Sequence, residues 1–180
     1  ARTILTDETL KEVRLQPLHQ RAYGFGNALV QNVLGGHSLV MNPATTNKVR
    51  ASLPVALAAN VPFHDWWIYQ VTTGAGMSVI YDKEPALYYR QHRSNILGAG
   101  PGGTNHMARL RMLQSRQYSS WIDRNLAALA RVESQLTTEN AALLHKFKTW
   151  RQAPALRRSS PQAMGVYRQS TVGNLILRTL

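Results

Sequence analysis

The stretch from Phe63 to Gly98, FHDWWIYQVTTGAGMSVIYDKEPALYYRQHRSNILG, decides how this chain is read. His64 and Asp65 stand at an expected helix start, where an acidic first turn suits the positive end of the helix dipole. The helix expected over about Asp65 to Thr73 stops at Gly74 and Gly76, which can take the left-handed conformation that closes a helix. Met77 to Tyr81 and Ala86 to Arg90 have strand character, separated by the turn Asp82-Lys83-Glu84-Pro85. The stretch closes on Tyr89, Arg90, Gln91 and His92, with Asn95 and Gly98 beyond. A helix running into a strand pair makes the expected fold class α/β.

Upstream, Asn42-Pro43 reads as an N-cap followed by proline at the first helical position. That helix is expected to reach about Ala51 and to be closed by Pro54. Asn32 to Met41 reads as a strand entered through a kink at Gly35-Gly36. Thr6 to Thr9 is expected to cap a short helix through Val13 and Leu15, which Pro17 ends. Downstream, Gly98 to Gly103 is a glycine-rich break and marks a boundary between residues 1–103 and 104–180. Beyond it, apolar residues from Met107 to Leu136 recur at steps of three or four, one face of a long helix. Thr137 and Glu139 are expected to cap a second helix with Leu143, Leu144, Phe147 and Trp150 on its apolar face. Asn174 to Leu180 reads as a short strand or an interfacial segment.

The chain has 180 residues, 44% of them hydrophobic and none of them cysteine. It can bury a core, and both disulfide frameworks and thiolate chemistry are excluded. The net charge of +12 is unevenly placed. Residues 1–103 hold nine Lys/Arg against six Asp/Glu, and residues 104–180 twelve against three. A basic helical part beside a near-neutral one suits an acidic partner: anionic lipid, nucleic acid or an acidic protein face.

Asp65 has two readings. It is a helix-start acid, or it is a general base that takes a proton from an attacking hydroxyl. Trp66, Trp67 and Tyr69 suit the apolar face of a sugar, or a core; the two tryptophans point roughly 100° apart on a helix. Arg90 could grip phosphate through two parallel hydrogen bonds, or form a surface ion pair with Asp82 or Glu84. His92 is a structural histidine or a metal ligand. Gly98, Gly100 and Gly103 match a dinucleotide fingerprint with Asp123 twenty residues on, but no buried strand leads into them, so they read as a hinge.

The H-D-W-W block at His64–Trp67 and the block Tyr89, Arg90, Gln91, His92, Asn95, Gly98 follow one another in a spacing that resembles the second half of the catalytic domain of family 2 glycosyltransferases. The likeness is to the rhamnosyltransferase-like branch. That resemblance implies that residues 1–103 are the C-terminal part of a GT-A-like catalytic domain, a partial mixed sheet with helices, followed by a basic α-helical extension. It implies an inverting transfer of a sugar, rhamnose among the options, from a nucleotide sugar to a saccharide or lipid-linked saccharide. Asp65 would be the base. His64, Trp66, Trp67, Arg90, Gln91, Asn95, Gly35, Gly36 and His37 would contact substrate, and His92 would help bind a divalent metal, Mn or Mg. The family's D-x-D motif is absent: the four aspartates are Asp7, Asp65, Asp82 and Asp123. The chain is therefore expected to be the acceptor-side portion of a larger transferase, inactive and metal-free alone. Its exposed sheet edge would favour self-association. The place implied is cytoplasmic, at the inner face of the cell membrane, with the basic helices on anionic lipid. The alternatives are a basic helical nucleic-acid-binding module, disfavoured because no base-reading motif is present, and a non-catalytic assembly platform.

Overall fold

A computed structural model describes residues 1–90, 116–154 and 157–177. They form an α/β arrangement, with a three-stranded mixed sheet and six α-helices among the described residues. The strands are β1 (Arg2–Thr6), β2 (Glu12–Leu15) and β3 (Pro85–Arg90). The helices are α1 (Phe25–Ala28), α2 (Pro43–Ala58), α3 (His64–Gly74), α4 (Arg116–Arg131), α5 (Thr138–Gln152) and α6 (Thr171–Leu177).

β1 is the central strand. It pairs antiparallel with β2, Ile4 opposite Leu15, and parallel with β3, Leu5 opposite Tyr89 and Thr6 opposite Arg90. The short helix expected after Thr6 is therefore a hairpin instead. Asp7 Oδ1 accepts hydrogen bonds from the backbone of Thr9 at 2.8 Å and of Lys11 at 3.0 Å, which satisfies locally the donors that a helix start would have offered. Leu10 completes the turn with a φ of 66°.

Three further expectations are corrected. Asn32 to Met41 is not a strand: Asn32 Oδ1 accepts from Leu34 N, and Gly36–Ser38 is a 3₁₀ turn closed by Ser38 N on Gly35 O. Met77 to Tyr81 joins no ladder, and Ile80 is 92% exposed. The segment from Asn174 is helical through Leu177, with Ser170 Oγ accepting from Gly173 N; residues 178–180 lie outside the described residues. Asn42 caps α2 as expected, its side chain accepting from Thr45 N at 2.8 Å, yet the helix runs through Pro54 to Ala58. Proline removes the N–H that Arg50 O would receive. Both residues are exposed, so water can take that carbonyl.

The expected long helix is α4 followed by a 3₁₀ turn at Glu133–Gln135; its stretch from Met107 to Leu113 falls outside the described residues, as does the Gly98–Gly103 break. Thr137 caps α5 by accepting from Asn140 N, and Leu144, Phe147 and Trp150 are buried. One apolar cluster draws on α1, α2, α3, α4, α5 and α6, so residues on both sides of that break share it. The join is also polar. Arg168 donates to Val30 O and, at 2.5 Å, to Tyr118 Oη, while Asn27 Nδ2 donates to Tyr167 O at 2.9 Å. Gly26 is pressed onto this seam: a Cβ there would meet Gly165 O at 1.9 Å.

Candidate functional site

Helix α3 places its first turn at the surface and everything after it in the core. Eight of its eleven residues, from Trp66 onward with Ile68 excepted, are buried. Trp66 is 2% exposed and Trp67 1%. The Trp66 indole donates to Ala28 O at 2.7 Å and the Trp67 indole to Ser52 Oγ at 2.9 Å. Each N–H is thus satisfied inside the protein, and neither ring lies open to solvent, Trp67 only backing a groove between α2 and α3. The expectation that these two side chains contact substrate is corrected by that packing, because α1 and α2 close over them. Tyr69 is held in the same way, donating to Asn27 Oδ1 and accepting from Gly24 N, and its burial pushes the phenol far up.

The exposed first turn is different. His64 is exposed and Asp65 half-buried. Asp65 Oδ1 accepts from Trp66 N at 2.9 Å, and Oδ2 accepts from Gly36 N at 3.2 Å. The carboxylate thus bridges the helix start and the Gly36–Ser38 turn. The His64 ring lies over Gly36, where a Cβ would meet its Nε2 at 2.4 Å. Gly35 leaves similar room for His37, whose Cε1 would be 2.8 Å from a Cβ. His37 in turn stacks on Tyr89 of β3, the ring centroids 4.5 Å apart and the planes within 18°. Desolvation of the ring pushes His37 below the usual imidazole range; the Asp65 charge opposes this and the N-terminal ammonium adds to it. His37 is therefore neutral at pH 7 and acts there as a polar aromatic surface.

Asp65, His64, Gly35, Gly36 and His37 thus meet around one small turn, in a segment whose sequence reads as a strand. Tyr89 belongs with them and was not singled out. Its signal is weak, since only the parallel register of β3 on β1 brings it to His37. Arg90 is exposed at the end of β3. Gln91, His92 and Asn95 lie outside the described residues. Among the described residues no three His, Asp or Glu side chains gather as metal ligands. Asp123, the acid of the dinucleotide pattern, is ion-paired with Arg151 at 2.7 Å.

An apolar groove of about 200 Å³ opens beside the site, between α2 and α3. Leu53, Leu57, Val61 and Ile68 line it and His64 stands in its wall. The arrangement therefore offers a carboxylate with fixed orientation, imidazole edges and an apolar recess.

No family model matches the chain, and no solved structure matches it. A stretch of 73 residues is 29% identical to the dTDP-rhamnosyl transferase RfbG of Shigella flexneri, covering 41% of this chain. The chain spans about 25% of the length of that relative. A distant and partial similarity to a glycosyltransferase is what the comparisons establish.

Proposed function

We propose that this chain forms the acceptor side of an inverting glycosyltransferase, with Asp65 as general base. In the step envisaged, Asp65 takes the proton of an acceptor hydroxyl. The freed oxygen attacks the anomeric carbon of a nucleotide sugar, and the nucleoside diphosphate leaves with the bonding electrons. The observation that carries this reading is the half-buried carboxylate pinned by two backbone N–H groups at the open end of a helix otherwise sunk in the core. A base aimed before substrate arrives lowers the barrier without reorganisation at the moment of reaction.

The partial similarity to a rhamnosyl transferase supports the transferase class, and rhamnose is the donor sugar it favours. The apolar groove beside His64 suits a saccharide acceptor that carries an apolar portion, including a lipid-linked one. The basic residues of the helical part would face the acidic headgroups of the membrane holding that acceptor. Among the described residues no helix is long and apolar enough to cross a membrane, which fits attachment at the surface. Donor binding requires a second half with the D-x-D metal motif, and the chain alone is expected to transfer no sugar.

The test is sugar transfer by a full-length protein containing this chain, beside its Asp65→Asn variant, with a panel of nucleotide sugars. General-base catalysis contributes about 10²–10⁴-fold, so the variant is expected to lose at least a hundredfold in kcat. Retained activity in Asp65→Asn reduces the residue to a helix-start acid.

A further inference from the structure

We infer that the Gly35–Ser38 turn is a positioning element for Asp65, tied to β3 through the His37–Tyr89 stack, and that Gly36 and His37 act on the base rather than on the acceptor. The inference rests on the reading of Asp65 as the base, and it changes the role expected of three residues that resemblance alone would place on substrate.

The argument starts from what holds a surface carboxylate still. A helix start supplies one N–H, here from Trp66, which fixes one oxygen. Asp65 Oδ2 needs a donor from elsewhere, and Gly36 N supplies it from a residue twenty-nine positions away in sequence. A 3₁₀ turn of three residues cannot hold such an alignment by itself, because one turn has too few hydrogen bonds to be rigid. Besides two long hydrogen bonds between Ser38 and Ala1, at 3.4 and 3.5 Å, its supports are aromatic. His64 packs on the Gly36 backbone from the α3 side, at a distance that only glycine permits. His37 packs on Tyr89 from the β3 side, and stacked rings of this kind attract beyond their burial. The turn is thus clamped between the helix that carries the base and the strand that leads to Arg90.

That geometry couples two parts of the site. β3 is held parallel to β1 through Leu5 and Tyr89, so a displacement of β3 moves the ring on which His37 rests and with it the Gly36 donor. A misplacement of a reacting group by about 1 Å can cost on the order of a hundredfold in rate, which sets the scale of the effect.

The experiment follows the Gly36 amide proton in ¹H–¹⁵N spectra of this chain. Asp65→Asn is expected to move it upfield, since a charged acceptor is replaced by a weaker neutral one. Tyr89→Leu, which removes the stack, is expected to move it in the same direction, and Tyr89→Phe, which keeps the ring, to leave it in place. A Gly36 signal that stays at its native position in Tyr89→Leu, with the amides of α3 also native, overturns the coupling. In the full-length transferase, His37→Ala is expected to lower kcat about ten- to a hundredfold at unchanged acceptor KM, and His37→Phe to restore it. A raised KM at unchanged kcat makes His37 an acceptor contact and overturns the inference. Should Asp65→Asn retain full transfer, the base reading fails, whereas the amide measurement still decides whether the turn is clamped.

Discussion

The sheet and the helical body of this molecule are built to different standards. β2 is exposed at all four positions, with Val13 49% and Leu15 44% exposed, and β3 presents Tyr88 at 60%. In the helices, Ile122, Leu129, Leu144, Phe147 and Leu177 are fully buried in one cluster, joined by Leu29 just after α1. Apolar burial is worth about 25 cal/mol per Å², so cohesion resides in the helices. The sheet contributes hydrogen bonds and placement: it carries Tyr89 to His37 and, among the described residues, ends in the edge strands β2 and β3.

The sharpest way to break that contrast is at the seam of the helical body. Gly26→Ala would drive a methyl group into Gly165 O, where backbone rather than a flexible side chain must give way. A loss of about 4 kcal/mol or more in denaturant unfolding is expected, a size reserved for backbone or core disruption. An unchanged midpoint would mean that the seam is loose. One step smaller, Leu129→Ala is expected to cost about 2–5 kcal/mol, while Leu15→Ala on β2 stays within about 0.5 kcal/mol. Equal losses would erase the distinction between sheet and body.

A third substitution works in the opposite direction. Asn125 is 1% exposed, and neither atom of its amide has a hydrogen-bond partner. Asn125→Leu is expected to raise stability by about 1 kcal/mol, since a buried amide without partners costs about 1–3 kcal/mol. A lower melting temperature in the variant would show that the amide is satisfied in solution.

The smallest effect is a pH dependence in the sheet region. Burial among Tyr23 and Tyr81 lowers the pKa of His19, whose Nδ1 lies 2.9 Å from Tyr23 Oη. The unfolded chain therefore binds a proton there more readily than the folded one. Stability is complete above the unfolded value near 6.5 and declines as pH falls below it; the lowered His37 adds in the same sense. His19→Gln should flatten the slope of melting temperature against pH between 7 and 5.

Local chemistry was legible in the sequence where a side chain had a single local role to play. Asn42 and Thr137 cap their helices as expected, because a capping group acts over a single turn; α3 ends one residue past its sequence limit, with Gly76 alone of the two closing glycines at a φ of 74°, and its start carries no side-chain cap. The hairpin at Asp7 escaped because the same side chain can cap a helix or close a turn, and only the strand partners of β1 decide between them. Pro54 escaped because the cost of a missing hydrogen bond depends on solvent access, which sequence does not state. In the site, Asp65 with Gly36 and His37 could be grouped through the resemblance, whereas the burial of Trp66 and Trp67 is imposed by α1 and α2 from outside their own helix.

The join at Gly26 also dictates when this protein can become itself. Asn27 finds its partner at Tyr167, 140 residues later. At about 5–20 residues per second, synthesis leaves that partner missing for on the order of ten seconds after α1 has emerged. Throughout that interval Phe25 and Leu29, buried in the finished fold, have only part of their cover. The buried face of α1 thus waits on a segment made 140 residues later.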